Sequence, residues 1–262
     1  MFETFNGADL LSIRGRVVIV TGGGKGIGRV YCERLAEAGA KLVVADIDGA
    51  ANEAVAAAIL AKGGEAVPVA TDVSEESATK ARAAAAIEAF GRIDGLVNNA
   101  SLMSVLPRRP WHEIPLEEWD RVMAVNLRGI FLCCLAVVPH MKAQGKGKIV
   151  NISSGRFWTG TPNRLHYSTS KAGVIGLTRS LAREVGADNI CVNAVTPGFT
   201  LSDTQVASSG DYARRNAPDE SRALKRQQFP EDLVGAVMFL LSDGSDFITG
   251  QTINVDGGQA MH

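Results

Sequence analysis

Tyr167 and Lys171 stand four residues apart in the run His166-Tyr-Ser-Thr-Ser-Lys-Ala-Gly-Val174, with Ser154 thirteen residues before the tyrosine. On a helix, positions i and i+4 share a face, so the phenol and the ammonium can lie close together. A free phenol has a pKa of about 10, and a nearby positive charge favours the phenolate. Such a tyrosine can act as a general acid or base nearer neutrality. A serine hydroxyl on a separate element can hydrogen-bond the same substrate oxygen. This is proton-transfer chemistry aimed at a carbonyl or an alcohol. A tyrosine and a lysine at this spacing also occur on many surface helices, so the surrounding elements must decide.

Those elements begin near the N-terminus. Arg16-Val-Val-Ile-Val-Thr21 is a short β-branched run that reads as a buried strand. It leads into Gly22-Gly-Gly-Lys-Gly-Ile-Gly28, then a helical pattern over Arg29–Ala38, with Gly39 as a stop. Strand, glycine loop and helix form the context in which a glycine cluster cradles a pyrophosphate at a helix N-terminus. The spacing is Gly22-x3-Gly26-x-Gly28 rather than G-x-G-x-x-G. A second strand, Lys41-Leu-Val-Val-Ala-Asp46, ends in a carboxylate 24 residues after Gly22. There Asp46 can accept from both hydroxyls of an adenosine ribose and repel a 2′-phosphate. Lys25 pulls the other way, since a cation in the loop can meet that phosphate. The carboxylate's conflict with the phosphate is the more direct, so NAD is the expected cofactor. Asp48 reads as a helix cap.

Together with motifs further along, these residues resemble the short-chain dehydrogenase/reductase family over roughly residues 12 to 260. The matching motifs are Thr21-Gly-Gly-Gly-Lys-Gly-Ile-Gly28, Asp72-Val73, Asn98-Asn-Ala100, Asn126, Ser154, Tyr167-x3-Lys171 and Pro197-Gly198. The resemblance implies a single Rossmann-type domain, a doubly wound parallel sheet of about seven strands with helices on both faces. It implies cofactor contacts from Gly22, Lys25, Gly26, Ile27 and Gly28 and from Asp46 and Ile47. Asp72 and Val73 would hold the adenine, while Asn98, Asn99 and Ala100 line the adenosine side. Pro197, Gly198, Thr200 and Ser202 would complete the cofactor site. Ser154 would position the substrate oxygen and Tyr167 would exchange its proton. Lys171 would bind the nicotinamide ribose and lower the tyrosine pKa, and Asn126 would kink its helix and hold a water. The chain departs from the family at Ser101, where glycine is usual, and at Ser202, where threonine is usual.

The 262 residues and 46% hydrophobic content suit one α/β domain. A net charge of −1 predicts no bulk attraction to nucleic acid or to an anionic membrane. No apolar run is expected to reach the length of a membrane span, and Met1–Arg14, with Glu3 and Asp9, does not read as a signal peptide. Cys32, Cys133, Cys134 and Cys191 lack C-x-x-C spacing and read as reduced core residues of a cytoplasmic protein. The four scattered histidines show no metal-ligand pattern.

Further strands are expected at Glu65–Val69, Gly95–Asn98, Lys148–Ile152, Ile190–Val195 and Thr252–Val255, and alanine-rich helices over Ala50–Lys62 and Glu75–Phe90. Residues 1–14 form an N-terminal extension. Residues 200–229, rich in charge, resemble by position the family's mobile substrate lid. The lid carries Arg214, Arg215, Arg222, Lys225 and Arg226 against Asp211, Asp219 and Glu220. Arg156, Arg164, Arg108 and Arg109 add further cations near the motifs, and such forks can grip a carboxylate, sulfonate or phosphate. Equally, they can be solvated or paired with neighbouring acids. Arg156 shares a side with Ser154 if the segment is extended, and that geometry fails if the chain turns at Gly155. Phe157 and Trp158 offer an aromatic wall or simple packing. Candidate substrate contacts are therefore Ser154, Arg156, Trp158 and Arg164. The expected activity is NAD-dependent oxidation of a secondary alcohol (a polyol, sugar or hydroxy acid). An NADPH-dependent 3-oxoacyl or aryl ketone reductase is the alternative, with an idle cofactor-binding protein behind it. A homotetramer is implied by the resemblance, with Leu116–Met141 apolar on more than one side and an exposed edge at Phe247–Asp256 offering surfaces.

Overall fold

Seven parallel strands form one sheet in the order β3-β2-β1-β4-β5-β6-β7. They are β1 (Val17–Thr21), β2 (Lys41–Asp46), β3 (Glu65–Ala70), β4 (Gly95–Asn98), β5 (Gly147–Ile152), β6 (Ile190–Pro197) and β7 (Thr252–Val255). The computed structural model describes residues 10–209 and 221–261. Asp211, Arg214, Arg215, Asp219 and Glu220 of the expected lid, and Glu3 and Asp9 of the extension, lie outside the described residues.

The sheet is buried on both faces, which is why its strands read as near-continuous apolar runs. Val18, Val20, Leu42 and Val44 face a core completed by α1 (Gly26–Glu37), α2 (Gly49–Ala61) and α8 (Glu231–Leu241). Ile19, Val43 and Leu96 face a second core against α3 (Glu76–Phe90), α5 (Gly129–Gln144) and α7 (Leu165–Val185). The period-2 alternation of strand side chains thus divides one strand between two cores. All four cysteines are free and buried.

The strand order reverses between β1 and β4, whose carboxyl ends flank the crevice typical of open parallel sheets. Before α5, the chain runs through α4 (Leu116–Met123) and a π-helical turn at Ala124–Arg128. Leu116–Gln144 is 29 residues long and, by length and composition, apolar enough to cross a membrane, though half of its apolar window is buried. This corrects the expectation that no apolar stretch reaches that length. The helix is apolar because one side packs on the sheet and α3, while Phe131 and Leu135 are left exposed on another. Of the expected edge segment Phe247–Asp256, only Thr252–Val255 is strand; it pairs with β6 alone, and Phe247 is fully exposed.

Candidate active site

A cleft of about 570 Å³ opens over the carboxyl ends of the strands. One end is built by the β1–α1 loop. Gly22 turns at φ +64, and a Cβ at Gly28 would stand 1.9 Å from the Gly22 carbonyl oxygen, so only glycine closes this turn. Lys25 caps α1 without a side-chain bond to the helix amides, so among the described residues no side chain of the cap occupies the first-turn N–H groups. This donor set fits the pyrophosphate of a dinucleotide. Asp46, at the end of β2, accepts from the amides of Gly24 (3.2 Å) and Asp48 (3.1 Å) and lines the cleft. Lys25 is held by Asp48 at 2.6 Å, which raises the lysine pKa, and Asp48 also caps α2 through the Ala51 amide. The cation that argued for a 2′-phosphate is therefore already paired.

The floor at mid-cleft is a web of polar bonds. Asn99 Nδ2 donates to the carbonyls of Thr21 (3.0 Å) and Gly22 (3.1 Å), and the Thr21 hydroxyl accepts from the amides of Asn99 and Ala100. Asn99 thus ties the glycine loop to β4.

At the far end, Ser154, Tyr167 and Lys171 line the cleft together. Tyr167 and Lys171 share a face of α7, as the spacing predicts, with Nζ 5.8 Å from the ring centroid. Lys171 Nζ donates to the Ile152 carbonyl at 2.8 Å, and Ser153 Oγ donates to the Lys171 carbonyl at 2.7 Å. Burial pushes the Tyr167 phenol above its ordinary value. A hydrogen bond with Ser154 and the charges of Arg156 and Arg164 pull it part of the way back. Burial also drives the Lys171 ammonium down to about 7. The expected net depression of the tyrosine is thereby corrected: in the protein alone, desolvation outweighs the neighbouring charge. Asn126 sits in the π turn, accepts from the Leu102 amide at 2.7 Å, and donates to Leu102 O and Ser170 Oγ at 3.2 Å each. It pins the helix to α7 one residue before Lys171.

A family model described as enoyl-(acyl carrier protein) reductase matches residues 22–260. The chain belongs to the short-chain dehydrogenase/reductase family. It is 39% identical over 259 residues to a protein of Rhizobium meliloti (strain 1021) named a probable galactose dehydrogenase, covering 97% of this chain and 99% of that one. It is 38% identical over 256 residues to a 3-oxoacyl-[acyl-carrier-protein] reductase of Synechocystis, covering 96% and 100%. Among solved structures it is similar to one from Beutenbergia cavernae, provisionally named an NAD(P)-dependent gluconate 5-dehydrogenase, with NADP bound at low occupancy. The TM-score is 0.85 at 34% identity, covering 95% of this chain and 98% of that one. The chain is an oxidoreductase acting on CH–OH groups, and its family binds a nicotinamide cofactor.

Several of the residues that the motifs imply for the cofactor are absent from the lining of this cleft. Asn98 is buried in the sheet, donating to Asn151 Oδ1 at 2.9 Å, and does not line the cleft. Val73 is buried against Gly129. The Asp72 carboxylate accepts from Ser74 N and Oγ. Ile47 is exposed beside Asp46. Ile27, Pro197, Gly198, Thr200 and Ser202 line the cleft; Thr200 and Ser202 are fastened to Gly198 O and Thr204 Oγ1.

Among the candidate substrate contacts, the chain turns at Gly155 into a short helix, α6 (Arg156–Thr159), so Ser154 and Arg156 do not alternate along a strand. Arg156 nevertheless lines the cleft, with its guanidinium on the carbonyls of Thr161 and Pro162. Trp158 donates to Thr196 Oγ1, and Arg164 is buried against Met103 Sδ and Leu106 O; neither lines the cleft. The sequence reading missed Glu118, which meets buried His166 at 3.1 Å and Arg109 at 3.4 Å, tying α4 to the start of α7. No short-range pattern links residues 48 positions apart.

Proposed function

We propose that the chain is an NAD-preferring dehydrogenase of a small secondary alcohol, a polyol, sugar or hydroxy acid. The observation that carries the cofactor half is Asp46, whose carboxylate lines the cleft where the ribose hydroxyls belong. Asp46 with Gly24 would receive the ribose, and the α1 amides the pyrophosphate. Lys171 would take the nicotinamide ribose. When bound, the nicotinamide supplies the hydride acceptor or donor.

For the chemical step, Tyr167 is the proposed acid/base. In oxidation it takes the alcohol proton at its phenolic oxygen, while Ser154 donates to the substrate oxygen as carbonyl character develops. Lys171 fastens the helix of Tyr167 to β5 through the Ile152 carbonyl, and Asn126 fastens it through Ser170. Residues 200–229 are proposed to close over the substrate, and Arg29–Asp203 (3.0 Å) joins the start of that segment to α1. Cytoplasmic residence accords with four free, buried cysteines. Exposed Phe131 and Leu135 on α5 support assembly into a homotetramer, and covering them in that way rather than with lipid accords with the half-buried state of Leu116–Gln144.

A second reading is an NADPH-dependent carbonyl reductase, favoured by the NADP in the Beutenbergia cavernae structure and by the 3-oxoacyl reductase relative. A panel of sugars, hydroxy acids, secondary alcohols and 3-oxoacyl thioesters, assayed with each dinucleotide, separates the two. The proposal requires at least a tenfold higher kcat/KM with NAD, about 1.4 kcal/mol. Equal use of NADP overturns the cofactor half.

A further inference from the structure

Among its described lining residues the cleft carries more cations than acids. Its charged lining residues are Lys25, Asp46, Arg108, Arg156, Lys171 and Arg222. Lys25 and Asp46 belong to the glycine-loop end, and Lys171 stands beneath Tyr167. Arg108, Arg156 and Arg222 line the substrate end.

Arg222 is the least expected of the three. It comes from the segment after the undescribed stretch, yet it is only 2% exposed. Its Nη2 donates to the Phe199 carbonyl at 2.8 Å, and its Nε is buried with no acceptor among the described residues. The charge of Arg222 is felt by Asp232, but both oxygens of that carboxylate are taken by the Arg226 fork at 2.6 and 2.7 Å. A buried guanidinium served by one carbonyl carries a desolvation cost that an anion would offset. Arg156 is oriented by the carbonyls of Thr161 and Pro162, and its backbone amide donates to Ser154 Oγ at 3.3 Å. It therefore stands beside the proposed reacting oxygen, while Arg108 is an exposed residue at the rim.

Resting on the dehydrogenase reading above, we infer that the substrate is a hydroxy acid whose carboxylate is held by Arg222 and Arg156. A planar guanidinium fork matches a carboxylate through paired N–H donors. The buried Arg222 fork singles out the acidic members of the polyol, sugar and hydroxy-acid group, and Arg222 becomes a specificity-determining residue.

Binding and turnover test this separately. Calorimetry on the NAD-saturated protein compares cyclohexanecarboxylate with cyclohexanecarboxamide, two ligands of similar shape and different charge. The carboxylate should bind at least tenfold more tightly. Arg222→Gln should bring the ratio to within about threefold, and Arg222→Lys should restore part of it. Arg108→Gln, at an exposed position where folding is not at risk, should lower the ratio by a smaller factor. Equal binding of acid and amide by the unmodified protein overturns the inference, as does an unchanged ratio in both Arg222→Gln and Arg156→Gln. Tighter binding of cyclohexyl phosphate than of the carboxylate overturns the choice of anion. Turnover of cyclic hydroxy acids and of their amides then separates the two readings. Equal kcat/KM for both refutes the charge assignment and leaves the dehydrogenase standing. Selective carboxylate binding with no oxidation of any alcohol does the reverse.

Discussion

The Lys171 ammonium lies 5.8 Å from the centre of the Tyr167 ring, and its bond is to the carbonyl of Ile152, not to the phenol. Both groups are buried, and burial favours the neutral form of each: the phenol is held protonated and the amine is driven toward losing its proton. The protein alone therefore presents a weakly charged pair in a cleft, and ligands that enter it shift the balance.

Replacing Tyr167 by phenylalanine keeps the ring and removes the proton carrier. The expected loss in kcat is about 10²–10⁴-fold, the usual worth of a positioned acid or base. Dinucleotide binding, followed by fluorescence, should change little. A folded Tyr167→Phe protein with near-normal turnover rules out the assignment.

The pH dependence follows from the same burial. Oxidation needs the phenolate, and the Tyr167 pKa is raised, so kcat for oxidation should climb with pH through the neutral range. Reduction needs the protonated phenol and should decline at high pH. A flat oxidation profile between pH 6 and roughly 9, with chemistry shown to be rate-limiting by an isotope effect, contradicts this role.

Lys171→Met should trade activity for stability. The folded-state pKa of Lys171 is depressed to about 7 from an ordinary 10.5, so the unfolded chain binds more protons between those values. The burial penalty is therefore full below pH 7, fades as pH rises, and is gone above about 10.5. At pH 6 the methionine variant should melt higher by roughly 2–4 °C, the equivalent of about 1 kcal/mol in a domain of this size. The gain should shrink toward pH 10. Calorimetric scans at both pH values on cofactor-free protein measure it, and a gain that grows with pH has the wrong sign.

Asp46→Ala should relax the cofactor preference, lowering the ratio of kcat/KM for NAD over NADP by at least tenfold. Because Asp46 also accepts the Gly24 and Asp48 amides, the same variant should weaken NAD itself. A ratio that does not move would assign discrimination to another residue.

Phe131 and Leu135 are about half exposed on α5 although their neighbours Leu132 and Cys134 are buried. Phe131→Asp should lower the molar mass seen by light scattering at micromolar concentration. A monomer before mutation removes the assembly proposal.

The seven strands were legible because buried parallel strands announce themselves as β-branched runs, and each observed strand lies within two residues of its expected bounds. Tyr167 and Lys171 were legible because their geometry is local, four residues on one helix. Elsewhere the information is long-range. Nothing near Lys171 in sequence indicates the Ile152 carbonyl, and nothing near Asn98 says that it spends its amide on Asn151. Arg164 and Arg222 look alike as cations. One is buried against Met103 and Leu106, the other lines the cleft, and only tertiary packing tells them apart. The Gly155 turn ended the expected alternation of Ser154 and Arg156, because one residue's torsion decides where the next side chain goes.

The π turn at Ala124–Arg128 has a consequence for insertions and deletions. A π turn holds one residue more than the α-helix it interrupts. It is a spare codon stored inside a helix, where chains rarely tolerate a change of length. Deleting one residue between 124 and 128 would leave an unbroken α-helix whose two halves keep nearly their present register, because the turn had absorbed the extra residue, but it would remove the local widening in which Asn126 sits. Asn126 could then not reach both Leu102 and Ser170. A deletion that a surface loop absorbs silently would here leave the fold intact and uncouple the helix from the reacting tyrosine.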